Sequence, residues 1–170
     1  MKKIVFLALT LVLLLATTSA FAAFSDVTPD DWAYAEITAM EKEGIAVADE
    51  NGNLNPSEGL DLAYLDSLPE WTKQYTSSLK ANLSPLEDIT RAEFVSAVVK
   101  AINATSTYTS SSFSDITDDA WYAKDLECAK EIGLIKGYED GTFRGDSAIS
   151  RREALVVGSR LKVFLDALSK

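Results

Sequence analysis

The chain has 170 residues, with 16 basic and 26 acidic side chains and a formal net charge of −10. Such a surface repels nucleic acid and anionic lipid, so neither is expected as a partner. Histidine is absent, which excludes His-dependent triads and His-ligated zinc or copper sites. Cys128 is the only cysteine, so no internal disulfide is expected; we predict a buried, inert thiol within a helix. No cofactor and no metal site are predicted.

The N-terminal residues predict export. Met1–Lys3 carries positive charge, Ile4–Ala16 is apolar, and Ala20–Ala22 supplies small residues at the positions that a signal peptidase reads. The apolar run is too short to span a membrane, so residues 1–22 are interpreted as a secretory signal peptide. An uncleaved amphipathic anchor helix is the alternative. Without its two lysines the mature chain keeps 14 basic and 26 acidic residues, a net charge of −12, and no other run predicts a membrane span.

An internal repeat organises the remaining sequence. Residues 24–66 match residues 113–155 without gaps at a constant offset of 89. Two segments this similar at one offset predict a duplicated structural unit. The matched stretches are Phe24-Ser-Asp-Val27 with Phe113-Ser-Asp-Ile116, Trp32 with Trp121, Gly44-Ile45 with Gly133-Leu134, and Asn51-Gly-Asn-Leu54 with Asp140-Gly-Thr-Phe143.

Each copy predicts a first helix that follows its tryptophan. Apolar residues recur at helical spacing, and a glycine, Gly44 or Gly133, stands where a left-handed residue ends the helix. The tryptophans, Trp32 and Trp121, are expected to pack as core at the helix start, with stacking on a sugar as the alternative. Polar residues upstream are natural N-cap candidates. These are Asp26, Thr28 and Asp30 in the first copy and Asp115, Thr117 and Asp118 in the later one.

The loops that follow, Asp49–Pro56 and Tyr138–Asp146, resemble calcium sites only in part. Alternating Asp and Asn in the first loop suit an EF-hand, but leucines occupy the positions that need a glycine and a bidentate acid. We therefore predict turns, with Leu54 and Phe143 in the core.

Second helices are predicted after Ile149 and after Ile89. Ser150 to Glu153 and Thr90 to Glu93 are capping boxes, in which a hydroxyl and a carboxylate satisfy backbone amides reciprocally. A stripe at helical spacing follows the first of these over about five turns. Its members are Ala154, Gly158, Leu161, Leu165 and Leu168.

These signals divide the mature chain. Repeat 1 covers residues 23–68 and lacks the arginine box, and repeat 3 covers residues 113–170 and is complete. Residues 69–103 form a degenerate middle repeat that keeps two helices, the first at Trp71, and lacks the Asp-Gly loop. An insertion within repeat 1 is the alternative for this segment. Residues 104–112 are a Ser/Thr-rich linker.

The ordered set of motifs resembles the S-layer homology (SLH) domain. The motifs are, in order, Phe-Ser-Asp-Val/Ile, Trp, Gly-Ile/Leu, Asp-Gly-Thr-Phe and Ile-Thr-Arg-Ala-Glu. The resemblance implies an all-α fold of three helix–loop–helix repeats packed as a pseudo-threefold bundle. It also implies a secreted protein of the cell wall, S-layer or cell envelope, held non-covalently by secondary cell-wall polysaccharide, commonly pyruvylated, or by modified peptidoglycan. Other envelope proteins are further candidate partners.

In the SLH family the arginine of the box and neighbouring groove residues contact the anionic sugar. Independently, a helix N-terminus with free amides and a two-pronged guanidinium favours a carboxylate. The alternative is that each arginine pairs with its local glutamate at the surface. The candidate binding residues are Arg91, Arg151, Thr90, Ser150, Glu93, Glu153, Trp32, Trp121, Asp140 and Gly141.

Repeat 1 and repeat 3 depart from the SLH pattern. Leu62 stands where the arginine of repeat 1 belongs, and Arg152 replaces an alanine in repeat 3. Since the middle repeat also lacks its loop, at most two anion sites are expected.

Two other functions are alternatives to wall binding. One is a structural envelope protein that self-assembles without binding the wall. The other is a small glycoside hydrolase, which needs two acids roughly 5–9.5 Å apart across a cleft. Small repeat helices offer no deep cleft, so we predict no catalytic residues and no enzymatic activity.

Overall fold

A computed structural model describes residues 24–67, 77, 80, 81, 83, 88–107 and 109–169. The predicted signal peptide and the helix predicted at Trp71 lie outside these residues. Within them the chain forms five α-helices and no strand, which confirms the all-α class. The helices are α1 (Tyr34–Lys42), α2 (Leu62–Ser67), α3 (Arg91–Ala101), α4 (Ala123–Glu131) and α5 (Arg151–Leu168). None of the helices in the described ranges has the length and apolar character that crossing a membrane requires.

The predicted capping boxes and glycine helix ends are confirmed. Thr90 and Ser150 open α3 and α5 as complete capping boxes. Gly44 and Gly133 follow α1 and α4 with φ values of +69° and +80°, the left-handed conformation that glycine adopts without strain. Cys128 is buried on α4, as predicted, and burial raises the pKa of its thiol.

The N-cap prediction for the upstream aspartates is wrong. The cap residues of α1 and α4 are Ala33 and Tyr122, and neither makes a side-chain cap hydrogen bond. Asp115 instead accepts the backbone amides of Phe143 and Arg144, at 2.8 and 2.7 Å. Its counterpart Asp26 does the same in repeat 1. A cap is a local signal, whereas these partners are 28 and 29 residues away.

Both loops are turns whose apolar residue enters the core. Leu54 and Phe143 are each 1% exposed, as predicted. The next residues, Asn55 and Arg144, take φ values of +55° and +59°, so the chain reverses immediately after each buried side chain. The two aspartates therefore stabilise a strained reversal at the same point of each repeat.

The first helix of one repeat packs against the second helix of another. α1 packs on α5, and α4 packs on α3. Of the five described helices, α3 is the most buried for its length, with seven buried residues. They are Ala92, Phe94, Val95, Ser96, Ala97, Val98 and Val99.

Backbone hydrogen bonds join the second helices to the loop ends of other repeats. Leu60 donates its amide to Ile149 at 2.8 Å, and Ile149 donates to Ile89 at 2.9 Å. All three side chains are buried in one cluster. Two equivalent antiparallel bridges flank this chain of bonds, Gly59 with Ser150 and Ala148 with Thr90. Two interfaces thus repeat the same contacts; the third, which a threefold bundle needs, falls largely outside the described ranges, so the threefold packing stays a prediction.

The predicted apolar stripe of α5 is only partly buried. Ala154 is buried, but Leu165 and Leu168 are 39% and 70% exposed. The prediction of an apolar stripe that packs on the core is therefore wrong for its last two residues. The 9-residue α1 covers about half of the 18-residue α5, because each residue adds about 1.5 Å of helix.

Deleting residues 69–103 should abolish cooperative folding. The deletion removes α3 and its buried residues, and no single repeat can cover the apolar face that remains. A thermal melt followed by circular dichroism measures this. A cooperative, monomeric deletion product would instead favour the insertion interpretation of the middle segment.

Replacing Asp115 by Asn should lower the free energy of unfolding by about 1–3 kcal/mol, because one of two loop amides loses its acceptor. Urea denaturation of this variant beside Asp30→Asn, an exposed aspartate, gives the comparison. Equal stability of the two variants would show that the carboxylate does not hold the loop.

Candidate functional site

Groove A is a cleft of about 420 Å³ between the start of α3, the loop of repeat 3 and the side of α5. Residues from all three segments of the chain line it, so it lies between repeats rather than within one. Its lining residues are Trp32, Arg91, Val95, Leu134, Ile135, Lys136, Gly137, Tyr138, Glu139, Phe143, Ile149, Glu153, Val156, Val157 and Arg160.

Arg91 reaches from α3 into repeat 3. Its Nε donates to the carbonyl of Phe143 at 3.0 Å, and its Nη1 pairs with Glu153 at 2.6 Å. The guanidinium also lies over the Tyr138 ring, 5.0 Å from its centre. With its side chain 12% exposed, Arg91 is mostly buried. The alternative of a surface pair with its local Glu93 is wrong, because Arg91 pairs with the glutamate of another repeat.

Glu153 connects the capping box to the groove. One carboxylate oxygen accepts from the Ser150 amide and hydroxyl, both at 3.0 Å. The other accepts from the Tyr138 hydroxyl at 3.0 Å and pairs with Arg91. Burial by itself would raise the pKa of Glu153, but the Ser150 hydrogen bonds, the charge of Arg91 and the Tyr138 hydroxyl together lower it. Glu153 is therefore ionised at neutral pH.

The helix N-termini do not offer free amides, contrary to prediction. The first two amides of α3, on Arg91 and Ala92, donate to the carbonyls of Ser147 and Gly145, each at 2.9 Å. The third and fourth donate to the hydroxyl and carbonyl of Thr90. The first turn of α5 is satisfied in the same way. These amides complete the fold, so an anion must be held by side chains.

Groove A contains more cations than acids. Lys136 is exposed, and Arg160 is half-buried with Nη1 donating to the Leu134 carbonyl at 3.2 Å. Neither side chain forms an ion pair with any residue that the structure describes. Glu153 is already paired with Arg91, which leaves Glu139 as the other acid of the groove.

Trp32 presents an indole at groove A. The prediction that both tryptophans pack as core is wrong, since Trp32 and Trp121 are each 61% exposed. The residue before Trp32, Asp31, accepts the Ala33 amide at 2.9 Å and pairs with Arg152 at 3.0 Å. Arg152 therefore anchors the segment that carries Trp32.

Groove B, of about 320 Å³, is the corresponding cleft between the start of α5 and the loop of repeat 1. Nη1 of Arg151 donates to the Leu54 carbonyl at 3.3 Å and pairs with Glu58 at 3.0 Å. Since Leu54 and Phe143 are equivalent at the offset of 89, Arg151 repeats the contact of Arg91. The lining residues are Val47, Ala48, Asp49, Asn53, Leu54, Asp61, Ala63, Tyr64 and Arg151.

The two grooves differ in charge. At the offset of 89, Val47 of groove B replaces Lys136, and Asp49 replaces Tyr138. Hydrogen bonds, chiefly from the Asn53 amide, lower the pKa of Asp49. Asp61 also lines groove B, so the described lining contains two acids, Asp49 and Asp61, and one cation, Arg151.

In the predicted threefold packing, the two departures in repeat 1 and the middle segment concern one interface. The arginine of α3 reaches the loop of repeat 3, and that of α5 reaches the loop of repeat 1. By the same order, an arginine in place of Leu62 would reach the loop of the middle segment. That loop is missing from the sequence, so an arginine at this position would have no loop to contact.

The remaining predicted site residues have local structural contacts. Asp140 accepts the amide and hydroxyl of Thr142 and pairs with Arg144, which together lower its pKa to about 2. Gly141 takes φ +83° and accepts the Ser114 amide. Both residues shape the loop, and neither lines a groove. Trp121 also lies outside both grooves, and the centre of its ring is 5.2 Å from the Lys100 ammonium.

Sequence reasoning missed the cations of groove A. Arg160 lies seven residues after Glu153, a spacing that places two residues on one face of a helix, so this signal was present. Lys136 and Tyr138 carried no such signal, because loop residues have no fixed periodicity.

The sequence matches the family model of the S-layer homology domain over residues 23–63 and 112–155, which together are half of the chain. The protein belongs to the S-layer homology family. SLH domains are modules that anchor proteins at the cell wall and bind its polymers, and this places the protein at the cell surface or in the envelope.

Relatives that carry SLH domains cover only part of the chain. The Cell surface glycoprotein 1 of Acetivibrio thermocellus is 40% identical over 76 residues, 43% of this chain and 3% of that protein. The Cellulosome-anchoring protein of the same organism is 34% identical over 90 residues, 51% of this chain and 20% of that protein. The Amylopullulanase of Thermoanaerobacterium thermosulfurigenes is 34% identical over 77 residues, 45% of this chain and 4% of that enzyme. The similarity to the enzyme is confined to its SLH anchor.

Glu153→Gln should lower stability by about 1–2 kcal/mol at neutral pH, since the ion pair with Arg91 is lost while an amide oxygen still accepts hydrogen bonds. The pKa of Glu153 is lowered in the folded protein, so its contribution is present above the usual value of 4.5 and is lost as the pH falls through the folded-state value. Urea denaturation between pH 7 and pH 3 should therefore show a shallower loss of stability for the variant. Parallel pH profiles for variant and parent would contradict the proposed role.

Proposed function

We propose that this protein is secreted and binds the cell wall non-covalently through groove A, which takes a carboxylate-bearing sugar. The sugar belongs to a secondary wall polysaccharide, with a pyruvate ketal as its acid, or to modified peptidoglycan. The observation that carries the proposal is an exposed indole, Trp32, in the same cleft as two cations, Lys136 and Arg160, that form no ion pair with any residue the structure describes. Aromatic faces stack on sugar rings, and paired cations hold a carboxylate.

Local charge supports this proposal despite the acidity of the whole protein. A net charge of −10 disfavours long-range attraction to an acidic polymer. At physiological ionic strength, however, charges on the surface are screened beyond about 8 Å. A carboxylate inside groove A therefore interacts mainly with the residues that line it, where cations are in excess.

The same groove argues against glycoside hydrolysis. A general acid in such an enzyme needs a raised pKa, so that it is protonated at the working pH. The pKa of Glu153 is lowered, and its carboxylate is occupied by Arg91 and Tyr138. We therefore propose a binding protein without catalytic activity.

Self-assembly without wall binding is the second candidate, and one observation favours it. The last turns of α5 expose Val163, Leu165 and Leu168, of which Val163 and Leu168 are 68% and 70% exposed. Apolar side chains clustered on a helix surface favour association of proteins.

The full chain should co-sediment with purified cell-wall sacculi. Loss of binding after mild acid removal of the polysaccharide would assign the sugar to that polymer, and retained binding would assign it to peptidoglycan. Arg91→Ala should weaken binding by about 1.5–3 kcal/mol, because removing this charged hydrogen-bond partner releases Glu153 and the Phe143 loop that shape groove A. Arg91→Lys should weaken it less, because a lysine keeps the charge but lacks the fork.

Leu62→Ala serves as the control, because Leu62 packs against the core and lines neither groove. A thermal melt must accompany each isotherm, since Arg91 is mostly buried and its loss also affects folding. Sedimentation of the protein alone would support self-assembly, and equal binding by the parent and Arg91→Ala would overturn the assignment to groove A.

A further inference from the structure

Building on the proposed function, we propose that each chain binds a single sugar carboxylate, in groove A alone, with Lys136 and Arg160 as its direct contacts and Arg91 as a positioning residue. The SLH resemblance alone pointed to the box arginines and to as many as two sites. The contacts of the described residues favour a different assignment in this chain.

Arg91 is already committed within the protein. Its Nη1 pairs with Glu153 at 2.6 Å and its Nε donates to the Phe143 carbonyl. A carboxylate that bound Arg91 in the same way would have to displace Glu153, which would leave a half-buried acid without its cation. The backbone amides at the start of α3 are also occupied. Arg91 therefore holds Glu153, Tyr138 and the loop in place around the groove.

Lys136 and Arg160 are the cations that remain available. Lys136 is exposed at the loop, and Arg160 uses one of its five N–H groups on the Leu134 carbonyl. The two side chains line groove A from different elements, the loop and α5, and Trp32 lines it from the segment before α1. A ring stacked on the indole can therefore place its acidic substituent between the two cations.

Groove B lacks this combination. Among its described lining residues the only cation is Arg151, which already pairs with Glu58, and Asp49 and Asp61 line the same cleft. A ligand carboxylate there would meet two acidic side chains and no unpaired cation among the lining residues, and like charges at close range repel. At the predicted third interface the sequence supplies neither the arginine nor the loop, since Leu62 stands in the box of repeat 1.

The test is a titration of the full chain, labelled with nitrogen-15, with the methyl glycoside of a 4,6-O-pyruvylated hexosamine. Its pyruvate-free counterpart is the ligand control. We expect the indole signal of Trp32 and the side-chain signal of Arg160 to shift along one binding curve. The Nε signal of Arg151 and the indole signal of Trp121 should stay in place.

Lys136→Val introduces the residue that groove B carries at the equivalent position, and it should weaken binding at least tenfold. Arg160→Gln should have an effect of similar size. Lys124→Val, an exposed lysine on α4 that lines neither groove, should bind like the parent. Thermal melts of all three variants separate a loss of binding from a loss of folding.

Two outcomes would overturn the inference while leaving the proposed function intact. One is a shift of Arg151 with the same affinity as Trp32, which would mean two sites. The other is unchanged affinity in both Lys136→Val and Arg160→Gln, which would return the carboxylate to Arg91. Failure of the parent to bind either glycoside, together with failure to sediment with wall, would overturn the proposed function itself.

Discussion

The structure depends on the way in which the second helix of one repeat begins on the loop of another. The first two amides of α3 and of α5 have no acceptor within their own helix, as at every helix start. They donate instead to loop carbonyls of a different repeat. An arginine in the same turn extends the contact by donating to the carbonyl of Phe143 or Leu54. Helix initiation and the joining of repeats are therefore one set of interactions.

Because α3 and α5 each begin on the loop of another repeat, grooves A and B form at the joints between repeats. A groove then needs an arginine from one repeat and a loop from the next. In the predicted threefold packing, Leu62 and the missing loop of the middle segment belong to one joint, so that joint would have neither part of a groove.

The two remaining joints have the same backbone contacts and different chemistry. At equivalent positions groove A has Lys136 and Tyr138, whereas groove B has Val47 and Asp49. The backbone bonds that hold each joint do not involve these side chains. The fold thus tolerates substitution along the groove walls, and the charge of each groove can change without loss of the joint.

The sequence by itself determined the helices, the capping boxes of α3 and α5, the glycine ends and the turns, because these depend on neighbours within a few residues. The boxes at Thr90 and Ser150, the glycine ends and the buried Leu54 and Phe143 all follow from such local patterns. Only the tertiary structure decided what each box contacts. The partner of Arg91, Glu153, is 62 residues away, and no local pattern encodes a contact between repeats. Burial of the arginines, exposure of the tryptophans and the excess of cations in groove A all follow from that long-range packing.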